Sequence, residues 1–545
     1  MKGRLFRAAN LNWVGAAILA GGYLFSLLHV LHLRGEEHRS DVVTIRIAHW
    51  SLEVGTRDAM DALGAAYTKL HPNVRIEQIA IPDKVYTSWL VSQLLGGTAP
   101  DLIALNANIT NEYYARYFLP LTEAVAAPNP YNAGTPLEGK RWRDTFLDGL
   151  GAAFAYNNAL MEVYGVGPGI NTIRLYYNKD LYAKAMGAAP GAEVPPPASY
   201  RQLLDACERL EAYSRTSGRP LVAIAGSTFN GPLLMNLLFS SQTQRPFAPS
   251  LEDVFLTSTG PWSNAYEIGM AYLRGEWNLE TPAIARGISI MHDVSRHMQP
   301  GFMQVQREDA TFYFLQQRAA MIVTGSWDAK GLLSQATFPI GVCEIPLPGS
   351  DDPQYGASAL GKLSESPATG AMGVARGSAH PEVAIDFLRF LTSQRGVAMA
   401  CRISGLLPSV EGVEPPSSVK AFAPNLDGYP GGMTLDQGIE MKRVFNSQFY
   451  LVAGQEEASV SSFAHGLEEA GYRDAILSDM RHGHHLRRQL VQRNDVTFAA
   501  LLNLRRNDPA AERKFVELGR RQNDAEAQNY RLEGDLKALG IPLQP

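Results

Sequence analysis

From Val42 to Trp50 the chain reads VVTIRIAHW, with apolar and polar positions alternating, which predicts a strand. Thr56 to Leu70 then repeats its apolar residues at helical spacing, and His71-Pro72 ends that helix before a second alternating run, Val74 to Ile79. A helix over Tyr86 to Leu95 stops at Gly96-Gly97, where glycine supplies a left-handed cap, and Pro100 to Leu105 is a short buried strand. Ile170 to Asn178 is strongly β-prone, and Leu181 to Met186 begins another helix. Ser199-Tyr200-Arg201-Gln202 has the capping-box form that opens a helix running to Tyr213. Leu221 to Ala225, Met321 to Thr324 and Ala371 to Ala375 read as buried strands, and Glu382 to Leu391 as a helix. Strands alternating with helices of this length predict a parallel, doubly wound α/β sheet, in which a ligand meets the loops at the carboxyl ends of the strands. Those loops hold Trp50-Ser51, Asn106-Ala107-Asn108, Ser227 to Asn230 and Gly325 to Asp328.

The pattern changes at both ends. Lys2, Arg4 and Arg7 precede an almost uncharged run from Leu11 to Leu33, about 23 helical residues and roughly 34 Å, enough to span a bilayer. Its basic flank stays cytoplasmic by the positive-inside rule, which places everything after Arg34 on the far side and leaves about ten residues within. A cleaved signal peptide is the alternative, but the run exceeds a typical h-region and no small-x-small cleavage site follows it. His29 and His32 read as interfacial polar residues on that helix. From about Thr434 onward the chain is helical in pattern and increasingly charged, and Asp508-Pro509 has the form of an N-cap and first-turn proline opening a last helix. Ala510 to Leu539 is rich in Glu, Arg, Gln and Asn, so it is either a partner-binding helix or a solvated one. His482, His484 and His485 read as part of a hydrated basic helix end.

With 545 residues, the chain exceeds what one hydrophobic core serves, so two lobes or more are expected. Its hydrophobic share of 46% and charged share of 19% are those of a folded protein. A net charge of -5 gives no broad positive field for nucleic acid. The three cysteines, Cys207, Cys343 and Cys401, are odd in number and widely spaced, so they form neither a disulfide framework nor a CxxC metal site. There is no GxSxG elbow, HExxH, P-loop or GxGxxG, which points away from an enzyme and from a bound cofactor or metal. Gly165-Val166-Gly167-Pro168-Gly169 reads as a plain turn, because a proline stands at its fourth position and no helix follows.

Four segments share an order and spacing with a known family. They are Gly97-Thr98-Ala99-Pro100-Asp101 (G-x-x-P-D), Leu175 to Leu181 (LYYNKDL) with proline-rich sequence and Ser199-Tyr200 beyond, Ala319-Ala320-Met321 through Gly325-Ser326-Trp327, and Gly370 to Gly373 with Ala384 to Leu391. On them the chain, from about Val42 to Leu407, resembles the extracellular (periplasmic) solute-binding proteins of ABC importers, the large maltose-binding-protein-like group that binds sugars. The resemblance implies a type II architecture: two doubly wound α/β lobes joined by hinge strands, here with an N-terminal transmembrane helix and a helical C-terminal extension. By that mapping 1–40 is anchor and linker, 41–168 with 371–400 the first lobe, and 169–370 the hinge and second lobe. Residues 401–475 return to the second lobe, and 476–545 form the extension.

A sugar presents hydroxyls that need donors and acceptors, and C–H faces that pack on flat rings. Trp327, at the position whose ring stacks on sugar in the family, is the first candidate contact, with a core tryptophan as the ordinary alternative. Trp50 ends a strand, Asn108 follows the P-D strand, Tyr86 opens a helix near the cleft, Asn230 follows the 221–225 strand, and Asn171 enters the hinge. Turn capping and loop chemistry are the alternatives for these. The implied function is a membrane-tethered binding module that closes on a sugar or oligosaccharide and hands it to ABC permease subunits. A carbohydrate-active enzyme and a membrane-attached sensor or scaffold are the rivals.

Overall fold

The computed structural model describes residues 42–543 apart from 54, 107, 152–154, 158–159, 190, 248–264, 361, 366–367, 426, 430, 454–458 and 507–508. The apolar 11–33 segment, with His29 and His32, and Asp508 lie outside the described residues. Among the described residues no helix is long and apolar enough to cross a membrane.

Two sheets organise the chain. In the first, Val43–His49 lies between Val74–Ala80 and Leu102–Ala104, parallel to both. Met372–Ala375 then runs antiparallel to Leu102–Ala104 and pairs with Phe118–Leu119 and Gly165–Val166. In the second, Val222–Ala225 runs parallel to Ala319–Gly325, which is antiparallel to Ile173–Asn178, and that strand is antiparallel to Ile340–Cys343. Both sheets are therefore mixed where the sequence pattern predicts parallel ones. The reason is topological: Met372–Ala375 and Ile173–Asn178 enter from the other sheet rather than over a crossover helix, so nothing holds them parallel.

Each sheet is covered on both faces, as the period of two requires. Ile45, Ile47, Leu102 and Val374 join one apolar cluster, while Ala48, Ile103 and Ala375 join another on the opposite face. In the second sheet Leu175, Tyr177, Met321 and Val323 point one way, and Tyr176 and Ile322 the other. The motifs that carry the family resemblance hold these sheets together. Asp101 accepts from the Arg46 amide (2.9 Å) and from Ser378 Oγ (2.6 Å), tying the first strand to the returning one. Asn178 Oδ1 caps the helix Lys179–Ala185 by accepting from the amides of Asp180 and Leu181, both at 3.0 Å. Ser199 caps Tyr200–Ser217 through the Gln202 amide at 3.4 Å. Cys207 and Cys401 are buried and Cys343 partly so, and burial pushes the thiols of the last two up to about 12.

Between the sheets lies a small three-stranded one, Ala368–Thr369, Gly169–Asn171 and Leu407–Pro408. Its three strands are the points where the chain passes from one sheet to the other. The glycine-rich run around Gly167 is thus a crossing of backbones rather than a plain turn: a Cβ at Gly167 would overlap the Gly370 carbonyl. Beyond it, Gln394–Ser404 packs on Thr56–Leu70 and Val410 joins the first cluster, whereas Val419 and Phe422 pack with Tyr176. The last two long helices, Tyr472–Leu504 and Pro509–Ala538, pair as a hairpin with Phe498 stacked on Phe515, ring centres 4.4 Å apart. This extension is neither free nor wholly solvated: Leu532 and Leu536 are buried in the second-sheet core. His484, read from the sequence as part of a hydrated helix end, is buried with Nε2 2.8 Å from Glu533 Oε1 across the hairpin.

Candidate functional site

The carboxyl end of Ala319–Gly325 runs directly into the short helical turn Ser326–Asp328. Trp327 is partly buried there, and its indole Nε1 is shielded from solvent with no hydrogen-bond partner among the described residues. Phe229, from the loop after Val222–Ala225, meets it edge to face with centroids 6.1 Å apart. The Arg307 guanidinium lies over both rings, 5.2 Å from Phe229 and 5.7 Å from Trp327. It is fixed by Asp328 Oδ1 at 2.6 Å, and the other oxygen of Asp328 accepts from Thr324 Oγ1 at 2.5 Å. A planar cation over two rings, itself anchored by a carboxylate, is a preorganised aromatic corner.

This corner faces the first sheet's side of the molecule. Arg307 lies 3.8 Å from Glu53, in the loop just after Val43–His49, and burial raises the Glu53 carboxyl above the usual range against the pull of Arg307. Lys330 Nζ donates to the Ile403 carbonyl at 2.8 Å, a second link between the two units. In the same first-sheet rim Trp50 packs edge-on to Tyr86, centroids 5.0 Å apart. Asn108 is exposed, and its amide donates to Asn106 Oδ1 at 3.0 Å in an Asx turn that leaves its own side chain at the surface. Asn171 sits at the hinge, its Oδ1 accepting from Ser326 Oγ at 3.5 Å, one residue from Trp327.

Two of the residues expected at the cleft lie inside their own units instead. Tyr86 is fully buried, and its hydroxyl donates to the carbonyls of Ala104 (2.8 Å) and Ala48 (3.3 Å), so it clamps two strand ends beneath Trp50. Asn230 is 1% exposed: its Oδ1 accepts from Ser227 Oγ (2.6 Å) and its Nδ2 donates to the Val323 carbonyl (2.7 Å). Its amide fastens the Phe229 loop to the strand that carries Trp327, and its burial leaves no surface for a solute's hydroxyl. The structure also brings in residues that the sequence reading passed over. Arg307 and Glu53 lie in segments with no motif. Phe229 lies in the Ser227 to Asn230 loop already expected at the ligand end of the sheet but is not singled out there, and an aromatic beside an asparagine just after a strand is the signal that points to it.

The comparisons with known proteins agree with this architecture. A family model described as bacterial extracellular solute-binding protein matches residues 62–424, well over half of the chain. No curated protein matches the chain in sequence. Among solved structures, the GacH receptor of Streptomyces glaucescens, determined unliganded and with acarbose, aligns with a TM-score of 0.56 and 18% identity, covering 80% of this chain and 98% of that one. Maltose-bound MalE3 of T. maritima aligns at 0.54 and 16%, covering 78% and 100%. The substrate-binding protein Lmo0181 of Listeria monocytogenes, in complex with cycloalternan, aligns at 0.52 and 16%, covering 79% and 98%. At such identity the likeness speaks for the fold, and together with the family match over 62–424 it leads to one conclusion: this chain belongs to the bacterial extracellular solute-binding proteins.

Proposed function

We propose that this protein is the solute-binding component of an ABC-type importer, taking a sugar or oligosaccharide between its two lobes and delivering it to the permease. The observation that carries the reading is the Trp327 corner. A partly buried ring held in place by Phe229 and Arg307 at a strand end is the kind of aromatic surface that packs against sugar C–H groups. Family membership and the carbohydrate ligands named for three structurally similar proteins support the same class of solute. Trp50, Asn108 and Asn171 are the further contacts in this reading, and Tyr86 and Asn230 are their supports. The 11–33 segment would tether the protein to the cytoplasmic membrane, with the body on the periplasmic or extracellular side, and so raise its concentration near the permease. The lobe assignments, 41–168 with 371–400 and 169–370, belong to the same proposal.

A thermal-shift screen of the purified protein against a panel of mono- and oligosaccharides, repeated with Trp327→Ala, tests this. The expected result is stabilisation of the wild type by a subset of the panel, a much smaller shift for the variant, and no turnover of the sugar. Equal stabilisation of both proteins would remove Trp327 from the site, and hydrolysis would favour a carbohydrate-active enzyme.

A further inference from the structure

The C-terminal hairpin is built into both lobes, but not equally. In the helix Tyr472–Leu504, Tyr472, Ala475, Ile476, Leu477 and Met480 are buried in the core of the second sheet. Leu486, two turns further along the same helix, is buried in the first-sheet cluster that contains Tyr86, Tyr114 and Phe118, and Leu490 packs against that cluster beside it. About 9 Å of continuous helix separates Met480 from Leu486, so one rod leaves one core and enters the other within two turns.

The joint to the second lobe is deep and polar as well as apolar. Asp479 accepts from the amides of Glu440 and Met441, each at 3.0 Å, at the start of the helix Ile439–Val452. Tyr472 donates to the Leu435 carbonyl at 3.0 Å, Tyr266 to Asp535 at 2.6 Å, and Arg531 pairs with Glu267 at 2.7 Å. A Cβ at Gly269 would come within 2.6 Å of Met480 Cε, so the surfaces fit closely. The joint to the first lobe is narrower. Beside Leu486 and Leu490 it opens into a cavity of about 480 Å³ between Arg116, Tyr164 and Arg376 of the lobe and Asn494, Thr497 and Gln522 of the hairpin. Close packing resists displacement, whereas a gap on one side forfeits contact energy and lets surfaces part.

We infer that the hairpin is a strap, anchored in the second lobe and resting separably on the first, which holds the two lobes at the angle seen here. A change in that angle requires Leu486 and Leu490 to leave the first-lobe cluster. The inference concerns the free protein, so it does not depend on which solute the cleft takes. The test is a spin-label distance measurement on the full-length protein in detergent, without added solute, using Leu70→Cys on the first lobe and Phe312→Cys on the second, in a Cys343→Ser background. Both label positions are exposed, at 58% and 61%, and Cys207 and Cys401 are buried. The labelled parent is expected to give one narrow distance distribution, and the same protein carrying Leu486→Asp a broad one extending to other distances. Leu490→Asp, at a half-buried position, is expected to do the same to a smaller extent and guards against Leu486→Asp failing to fold. A parent distribution already broad, or folded variants that leave it narrow and unmoved, would overturn the inference.

Discussion

Arg307 reaches across to Glu53 with 3.8 Å between their charged atoms, while the same guanidinium covers the rings of Trp327 and Phe229. One side chain therefore links the aromatic corner of the second lobe to the first-lobe rim. Arg307→Met keeps the stem and removes the charge, the stacking plane and the bond to Asp328. It should weaken sugar binding about tenfold, roughly 1.4 kcal/mol, and lower the melting temperature as well, because Asp328 and Glu53 lose their counter-charge. Titration calorimetry of wild type and variant reads this directly, and an unchanged affinity would remove Arg307 from the site.

Asn230 and Tyr86 separate support from contact. Asn230→Ala leaves the Ser227 hydroxyl and the Val323 carbonyl without their buried partner, so it should cost about 1–3 kcal/mol of unfolding free energy. Tyr86→Phe removes two bonds from one hydroxyl and should cost about 1 kcal/mol. Urea unfolding measures both, and the folded variants should bind sugar within about twofold of wild type.

Arg174 is 1% exposed at the start of the hinge-side strand and binds Glu365. It also donates to the carbonyls of Ile173 (2.8 Å) and Ala423 (2.7 Å). This clamps the 421–423 segment to the second lobe. Arg174→Ala should destabilise by about 1–3 kcal/mol, the cost of leaving the half-buried Glu365 carboxylate and the Ala423 carbonyl without their donor. Arg174→Met with Glu365→Gln should recover part of that loss. A loss of under about 1 kcal/mol for Arg174→Ala would show that the clamp contributes little.

His49 ends the first strand, 2% exposed, with Nε2 3.0 Å from Gln78 Oε1. Burial pulls its pKa below the ordinary 6.5, although the bond to Gln78 works the other way. A depressed folded-state value means that the unfolded chain binds the proton more readily. The stability this group contributes is therefore complete above pH 6.5 and is lost as the pH falls through its folded value. The melting temperature of wild type should drop over that window more steeply than that of His49→Gln, and parallel curves would contradict the assignment.

The two-lobed plan was legible because its signals are local and periodic. Val43–His49 alternates, Gly97 caps at φ 68°, and Asn178 caps the helix that follows it. The mixed sheets were not legible, because strand direction depends on which unit the chain arrives from, a relation among segments hundreds of residues apart. Trp327 stood out through its motif, and its partners Phe229, Arg307 and Glu53 did not, since their meeting is purely tertiary. Asn230 and Tyr86 have side chains that suit a solute and a buried strand end equally well, and only burial tells the two apart. The hairpin's polar composition left a partner-binding and a solvated helix both open, and Leu486, Leu532 and Leu536 are among the residues that the fold buries against the two sheets.

The most direct measurement is a structure of the protein with the tightest-binding sugar from the panel. The account predicts a sugar ring against Trp327 and first-lobe contacts within about 4 Å at Trp50 or Asn108. A sugar bound away from Trp327, or touching one lobe alone, would contradict it.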